Sequence, residues 1–311
     1  MIVINLVRYF VSRFLKLGKS ALRFFYNTLH NWDRAIGVEF DKKTHDYLVR
    51  RTASAYDMVT APDESYYARH YGDFIEEELV SHGYTSQDKL YDLACGQGRI
   101  INELLSRGLN FKSITGVDFS NDALSRARVN LGKFEPDVDI HLETSDIVDY
   151  VRLVEDESID VLLLLEVLYM LPNPELVLSQ ISRILKSTGI VFFSIRTDHY
   201  YALSAVKQGL FNKLKALETE TSDELFNSGV VLNWTCSDTI FNELTISYGL
   251  IVRECTAIGS CSGIPGDPFA SIVRPSELNS EDQKSLFQIE KFLGQKYPNS
   301  GRYLLFSATK G

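Results

Sequence analysis

The chain has few cysteines, no acidic residue before Asp33 and no long uninterrupted apolar run near its start, and each scarcity excludes something. Cys95, Cys236, Cys255 and Cys261 are scattered, with no Cys-x-x-Cys and no pair closer than six positions. That spacing excludes a disulfide framework and a zinc ribbon, and it fits a reducing intracellular compartment. Basic residues interrupt the apolar positions of the first thirty residues, so neither a secretory signal core nor a spanning helix of about twenty apolar residues is present there. No internal repeat or low-complexity tract occurs. The net charge is −9, and an acidic body is repelled by phosphate backbones, which argues against a nucleic acid partner.

What is present suits one large α/β domain with additions: 311 residues, 45% of them apolar. From Lys89 to Phe193 short apolar runs alternate with helical patterns, which predicts a mostly parallel, doubly wound sheet. The most informative stretch is 89–100. A short apolar run ends at Asp92, a loop carries Ala94, Cys95, Gly96 and Gly98, and helix-compatible sequence resumes at Arg99. A strand, a glycine turn and a helix start let a nucleotide-like ligand lie against bare backbone. The dinucleotide fingerprint needs a third glycine where this chain has Ile101, which weakens a pyrophosphate-binding, NAD-type oxidoreductase reading.

The loop resembles motif I of the class I S-adenosylmethionine-dependent methyltransferases, acidic-x-Gly-x-Gly-x-Gly, with Ala94 at the first glycine. Further segments follow in that family's order. A second strand ends in Asp118, followed by Phe119, about twenty residues past the loop, where a carboxylate can accept both ribose hydroxyls of an adenosyl group; the bland alternative is a cap for the helix after it. An alternating strand then leads to Asp146. The resemblance implies that Asp146 meets the adenine amino group with the backbone of Ile147 beside the ring; alternatively, Ser145 or Asp146 caps a short helix. The apolar run 158–166 reads as a strand buried on both faces and ends at Glu166. A helix over 175–186 and a strand over 187–195 follow, with Leu185, Lys186 and Gly189 matching the family's turn. The resemblance implies a seven-stranded, Rossmann-like sheet whose last strand, within 302–309, inserts beside another within 249–258. It also implies S-adenosylmethionine as cofactor and Asp92, Ala94, Cys95, Gly96, Gly98, Asp118, Phe119, Asp146, Ile147 and Glu166 as its binding residues. No metal is expected.

Around that core the chain divides into a basic helix over 1–35, a helical lid over 36–86 and the cofactor domain over 87–311, with insertions at 197–248 and 259–301. On a helical wheel Arg8, Arg13, Lys16, Lys19 and Arg23 share one side, and Val3, Leu6, Val7, Phe10, Phe14, Leu17 and Phe25 the other. Residues 1–35 contain six basic residues against Asp33 alone, so they carry +5 and the remaining chain −14. Three readings of this segment stand side by side: an in-plane membrane anchor through 1–31, a mitochondrial-type transit peptide, or a helix packing on protein.

Methyl transfer from a sulfonium requires alignment and water exclusion more than a base, so no obligatory catalytic residue is expected. By position Tyr56, Glu166 and His199 are the catalytic candidates, with Tyr169, Arg196, Asp198 and Tyr200 beside them. His199 is the natural base by its unperturbed pKa, although surface histidines are common. Tyr66 and Tyr67 are candidates for the active-site wall, or else packing residues. A helix is predicted over 201–217 and another opening at Trp234. The acceptor is expected to be a small or lipid-like molecule. A methyltransferase-like scaffold without turnover is the reading from a different class.

Overall fold

The computed structural model describes residues 56–214, 217, 222–223 and 232–311. The basic segment 1–35 and most of the lid's first part lie outside the described residues. The chain begins its described path with α1 (Pro62–His82) and then alternates β1 (Lys89–Leu93), α2 (Arg99–Ser106), β2 (Ser113–Asp118), α3 (Asn121–Leu131), β3 (Asp139–Thr144), α4 (Ile147–Leu153), β4 (Ile159–Leu164), α5 (Glu175–Ile184) and β5 (Leu185–Ile195). After α6 (Asp198–Lys207) come a two-stranded ribbon, β6 (Ser222–Asp223) with β7 (Leu232–Asn233), then α7 (Ser237–Tyr248), β8 (Leu250–Ile258), α8 (Ser280–Lys296) and β9 (Tyr303–Lys310).

The large sheet has the order β3-β2-β1-β4-β5-β9-β8. Strands β1 to β5 are parallel, and β9 runs antiparallel between β5 and β8. This is the seven-stranded, doubly wound, Rossmann-like sheet expected, with its last strand inserted. The order reverses between β1 and β4, and open α/β sheets bind ligands beyond the carboxyl ends of the strands at such a reversal.

Both faces of the sheet are covered, which is why its strands read as continuous apolar runs. Along β4, Val161 and Leu163 face one apolar cluster while Leu162 and Leu164 face the other, the period of two that a strand imposes. Phe192 and Phe193 on β5 divide the same way, as do Leu305 and Phe306 on β9. Helices α1, α2, α3 and α8 contribute to the first layer, and α4, α5 and α7 to the second.

Helix α1 starts with Pro62 at its first turn and stops at Gly83, whose φ of 85° closes the helix. Tyr67, Tyr71, Ile75 and Leu79, spaced by four, are fully or almost fully buried against the sheet. The second insertion, 259–301, for which no helix was expected, contains the seventeen-residue α8. Asn279 caps it by accepting from the backbone N–H groups of Glu281 and Asp282. The helix predicted over 201–217 starts earlier, at Asp198 behind a Thr197 cap, and ends at Lys207. The helix expected to open at Trp234 starts at Ser237.

Helix α8 packs tightly on β8 at Gly294. A Cβ there would lie 2.3 Å from the Ala257 carbonyl oxygen and 2.6 Å from Thr256 Oγ1. Alanine is favoured over glycine inside a helix by about 1 kcal/mol, but the backbone contact cannot give. Gly294→Ala is therefore expected to destabilise the fold by about 1–3 kcal/mol, read as a lower urea midpoint; a midpoint at or above wild type rejects this packing.

Candidate functional site

The glycine loop grows directly out of β1. The backbone N–H groups of Ala94 and Cys95 both donate to the Val117 carbonyl, at 2.8 and 3.0 Å, which holds the loop onto the end of β2. Ala94, Gly96 and Gly98 take φ values of 71°, 54° and 76°. That left-handed backbone is open to glycine and disfavoured for alanine by about 1–2 kcal/mol, so Ala94 carries strain at the position where the resembled motif has glycine. The two glycines serve different purposes. A side chain on Gly98 would strike Leu131 at 2.9 Å, so Gly98 lets the loop pack on α3, whereas one on Gly96 would meet nothing within 4 Å. The space in front of Gly96 is open, as a backbone-cradled ligand requires.

Asp118, at the end of β2, accepts from the Gly96 N–H at 2.9 Å and from the Ser120 N–H at 2.8 Å. Ser120, not Asp118, caps α3, accepting from Ala123 N–H at 3.3 Å. A carboxylate offers about four acceptor positions, so these bonds orient Asp118 and are compatible with its accepting from a diol. Phe119 follows it, half-buried. Cys95 is buried, its sulfur resting against Gly116, and burial with Asp92 and Asp118 nearby pushes its thiol far up and keeps it protonated. Asp146 is exposed and caps α4 through the Val148 N–H at 2.9 Å, while Ile147 is buried beside it. Ile101, at the third-glycine position of the dinucleotide fingerprint, is fully buried in α2.

Asp92 is 3% exposed, and burial together with the neighbouring Asp118 pushes it up to about 7. It therefore meets the loop as an acid that ionises near neutrality.

The centre of the site is a residue that the sequence did not single out. Arg99, the first residue of α2, is buried and donates to Glu64 Oε2 of α1 and to Glu166 Oε1, both at 2.5 Å, with the Tyr71 ring 5.7 Å from its guanidinium carbon. Burial alone would raise Glu166, but Arg99, Arg302 and Arg196 hold it down at about 2. Glu166 has a φ of 56°, its N–H donates to Ser194 Oγ at 2.7 Å, and its Oε2 accepts from the Tyr303 hydroxyl at 2.9 Å. So strong an acid makes a poor proton acceptor at neutral pH, and the geometry suits Glu166 to positioning. Burial raises Glu64, with Arg99 opposing that rise.

The antiparallel register pairs Ile195 with Leu304, which sets Arg196 beside Tyr303 at the strand ends. Arg196 donates to the Arg302 carbonyl and to the Tyr303 hydroxyl, each at 2.7 Å. Arg302 is paired with Asp267 at 2.8 Å and lies 4.2 Å from the Tyr67 ring. Tyr66 and Tyr67 tie α1 to the second insertion. Tyr66 donates to Glu290 at 2.8 Å, and Tyr67 shares a hydrogen bond with Ser262, whose hydroxyl donates to Glu290 at 2.9 Å.

Of the other candidates, His199 is exposed at the start of α6, and Asp198 beside it accepts the His199 N–H. Tyr56 is 43% exposed, and its carbonyl accepts from Gln97 Nε2 at 2.6 Å, which pins residues 56–58 to the glycine loop. The structure thus gathers Asp92, Gly96, Asp118 and Glu166 at adjacent strand ends and leaves the His199 ring on the surface.

Residues 85–243 match the model of a family described as a methyltransferase domain. The ubiquinone biosynthesis O-methyltransferase of Pasteurella multocida is 26% identical over 191 residues, 55% of this chain and 76% of that protein. The enzyme of the same name from Nitrosomonas europaea is 32% identical over 126 residues, 38% of this chain and 47% of that protein. Against some of these relatives the chain spans less than two thirds of their length. Among solved structures, a magnesium protoporphyrin IX methyltransferase from Synechocystis PCC 6803 with bound SAH shares the fold, with a TM-score of 0.55 at 12% identity, covering 87% of this chain and 100% of that one.

The raised pKa of Asp92 has a measurable sign. An unfolded aspartate ionises near about 3.9, so between pH 4 and 7 the folded chain holds a proton that the unfolded chain has released. The Asp92 contribution to stability is therefore intact below about pH 4 and declines as pH rises to 7. Asp92→Asn should gain stability relative to wild type across that window; a difference in urea midpoints independent of pH between 4 and 8 rules the assignment out.

Proposed function

The chain belongs to the methyltransferase family, and from that premise we propose that it transfers a methyl group from S-adenosylmethionine to a small-molecule or lipid-like acceptor. The observation that carries the donor half is the glycine loop held open by Asp118 on the Gly96 N–H, with unfilled space in front of Gly96. When bound, S-adenosylmethionine supplies a methyl group on a sulfonium, open to in-line displacement. The residues suited to hold it are the backbone of 94–98, Asp118 toward the ribose, and Asp146 and Ile147 toward the adenine, with Phe119 alongside. Asp92, ionising near neutrality, offers negative charge toward a cationic ligand at little cost in its absence.

Alignment and water exclusion fall to the rest of the site. Helix α1 covers the carboxyl end of the sheet through Glu64, Tyr67 and Tyr71, and the Arg99 bridge fixes it to the loop that holds the donor. A shielded, pre-aligned site of this kind lowers the barrier without a dedicated base. Where an acceptor proton must leave early, Tyr56 is the side chain nearest the glycine loop to take it, His199 lying exposed on α6, and Glu166 serves by orienting Arg99 and Tyr303.

The relatives named for ubiquinone biosynthesis act, by their names, as O-methyltransferases, which supports an oxygen acceptor on a small molecule here. The basic amphipathic pattern of residues 1–31 supports peripheral contact with anionic membranes, where a lipid-like acceptor is found. Among the described residues no helix is long and apolar enough to cross a membrane.

Asp118→Ala is expected to weaken binding of S-adenosylhomocysteine by about 1–3 kcal/mol through lost charge-assisted hydrogen bonds. Calorimetry that finds wild-type affinity refutes the role of Asp118, and methyl label from S-adenosylmethionine reaching no fraction of a cell extract refutes turnover. For the membrane, the full chain should sediment with liposomes containing anionic lipid and a chain beginning at Glu39 should not; equal sedimentation rejects docking through the basic segment.

A further inference from the structure

Three arginines are buried at the carboxyl end of the sheet: Arg99, Arg196 and Arg302. Arg99 lies between two glutamates and Arg302 is paired with Asp267. Arg196 differs, for among the described residues no carboxylate pairs with it. Its two hydrogen bonds, to the Arg302 carbonyl and the Tyr303 hydroxyl, use two of the five N–H donors a guanidinium has. Its charge is otherwise held by aromatic faces: its guanidinium carbon is 3.8 Å from the ring centroids of both Tyr200 and Tyr303, and 5.4 Å from that of Tyr169. Such a cage holds a buried cation with no carboxylate in direct contact, Glu166 being reached only through the Tyr303 hydroxyl, so an incoming anion is still attracted to it.

A second, independent observation lies beside the cage. The indole N–H of Trp234 and the hydroxyl of Ser204 are buried, at 4% and 5% residue exposure, and have no hydrogen-bond partner among the described residues. Native interiors seldom leave such groups unsatisfied. Both belong to the same neighbourhood as Arg196. Trp234 packs edge-on against Tyr201 with centroids 5.8 Å apart, Tyr201 meets Tyr200 at 5.4 Å, and the Thr235 N–H donates to the Arg196 carbonyl at 3.3 Å. Ser204 lies on α6, the helix that also carries Tyr200 and Tyr201. An arginine with no carboxylate partner and two unsatisfied buried donors on the segments that flank it call for a group rich in acceptor oxygens.

We propose that Arg196, Trp234 and Ser204 form an anion-binding end of the acceptor site, so that the methyl acceptor is a small molecule bearing a carboxylate. This rests on the methyltransferase reading. Strands lie about 4.8 Å apart in a sheet, and β4 alone separates β1 from β5, so the anion site stands about 10 Å from the strand that carries Asp92 and leads into the glycine loop. An acceptor anchored there by its carboxylate reaches back toward the donor loop with its other end.

The test uses the full chain, with and without saturating S-adenosylhomocysteine, and two calorimetric probes, 3,4-dihydroxybenzoate and catechol, which share a ring and differ by the carboxylate. Dihydroxybenzoate should bind at least tenfold more tightly than catechol. Arg196→Gln should abolish that preference in a chain that still binds S-adenosylhomocysteine. Ser204→Ala removes a hydroxyl with no partner among the described residues, so its melting temperature should hold while the carboxylate preference falls several-fold; Trp234→Phe should lower the preference likewise while remaining folded, and these variants decide the matter if Arg196→Gln does not fold. Equal behaviour of the two probes, mutual failure to bind included, overturns the proposal. So does a preference that survives in Arg196→Gln and Trp234→Phe, or a loss of S-adenosylhomocysteine affinity in Trp234→Phe as large as the loss of probe affinity. A carboxylate preference in a chain that binds no S-adenosylhomocysteine supports this site and defeats the methyltransferase reading instead.

Discussion

The buried guanidinium of Arg99, held between Glu64 and Glu166, is the contact on which the architecture of the site depends. It is the first residue after the glycine loop, so its position fixes the start of α2. One carboxylate partner belongs to the covering helix α1 and the other to the segment leaving β4, and a single side chain thereby joins cover, donor loop and the sheet reversal. Burying such a triad is expensive, and replacing all of it with apolar side chains can be neutral for stability, whereas removing one member leaves a charge uncompensated. The triad is therefore better understood as setting geometry than as adding stability. Glu166 passes that geometry on through the Tyr303 hydroxyl to Arg196, which carries it to the last strand and the second insertion.

Backbone strain is concentrated where the same contacts can hold it. Among the described residues the non-glycine positions with positive φ are Ala94, Glu157 and Glu166, and two of the three flank the reversal of strand order. Ala94 is held by its bond to Val117, and Glu166 is fixed from two sides by Ser194 and Arg99. Strained residues persist only where their surroundings over-determine them, and they cluster where a ligand is received. Gly96 and Gly98, between those two points in the fold, adopt similar dihedral angles without the side-chain penalty.

Much of the sheet was legible because each strand buried on both faces leaves a continuous apolar run, as in residues 158–166, and because the glycine loop is a local signal. The closing strands were also readable as strands, while their order came from resemblance, since pairing between β5 and β9 joins residues more than a hundred positions apart. Helix α8 was missed. Its second insertion opens with glycines and prolines between Ser262 and Phe269, and those turn signals obscured the Asn279 cap and the helix behind it. Arg99 was visible in the motif and its role was not, because neither Glu64, thirty-five residues earlier, nor Glu166, sixty-seven residues later, stands in any sequence pattern with it. His199 was chosen on intrinsic acidity, a property of the residue type; exposure belongs to the fold, and the fold turns His199 outward.

Charge is segregated along the strand ends, and this segregation follows from the sheet order. Asp118 and Asp92 terminate β2 and β1 on one side of the reversal, while Arg196 and Arg302 stand beside β5 and β9 on the other. Between them the Arg99–Glu166 pair neutralises itself, so it separates the two ends without favouring either sign. Opposite charges about two strand spacings apart create a field directed along the cleft, strongest where water is excluded. A cationic donor is drawn to the acidic end and an anionic acceptor to the basic end. The two reactants are then opposed head to head, and the fold supplies by electrostatics the alignment that an in-line displacement needs. On this view the acceptor end is selected by the side chains of the insertions and the donor end by the backbone of the loop. That division accounts for a donor loop readable from spacing, and for an anion site that is proposed only from the folded positions of Arg196, Ser204 and Trp234.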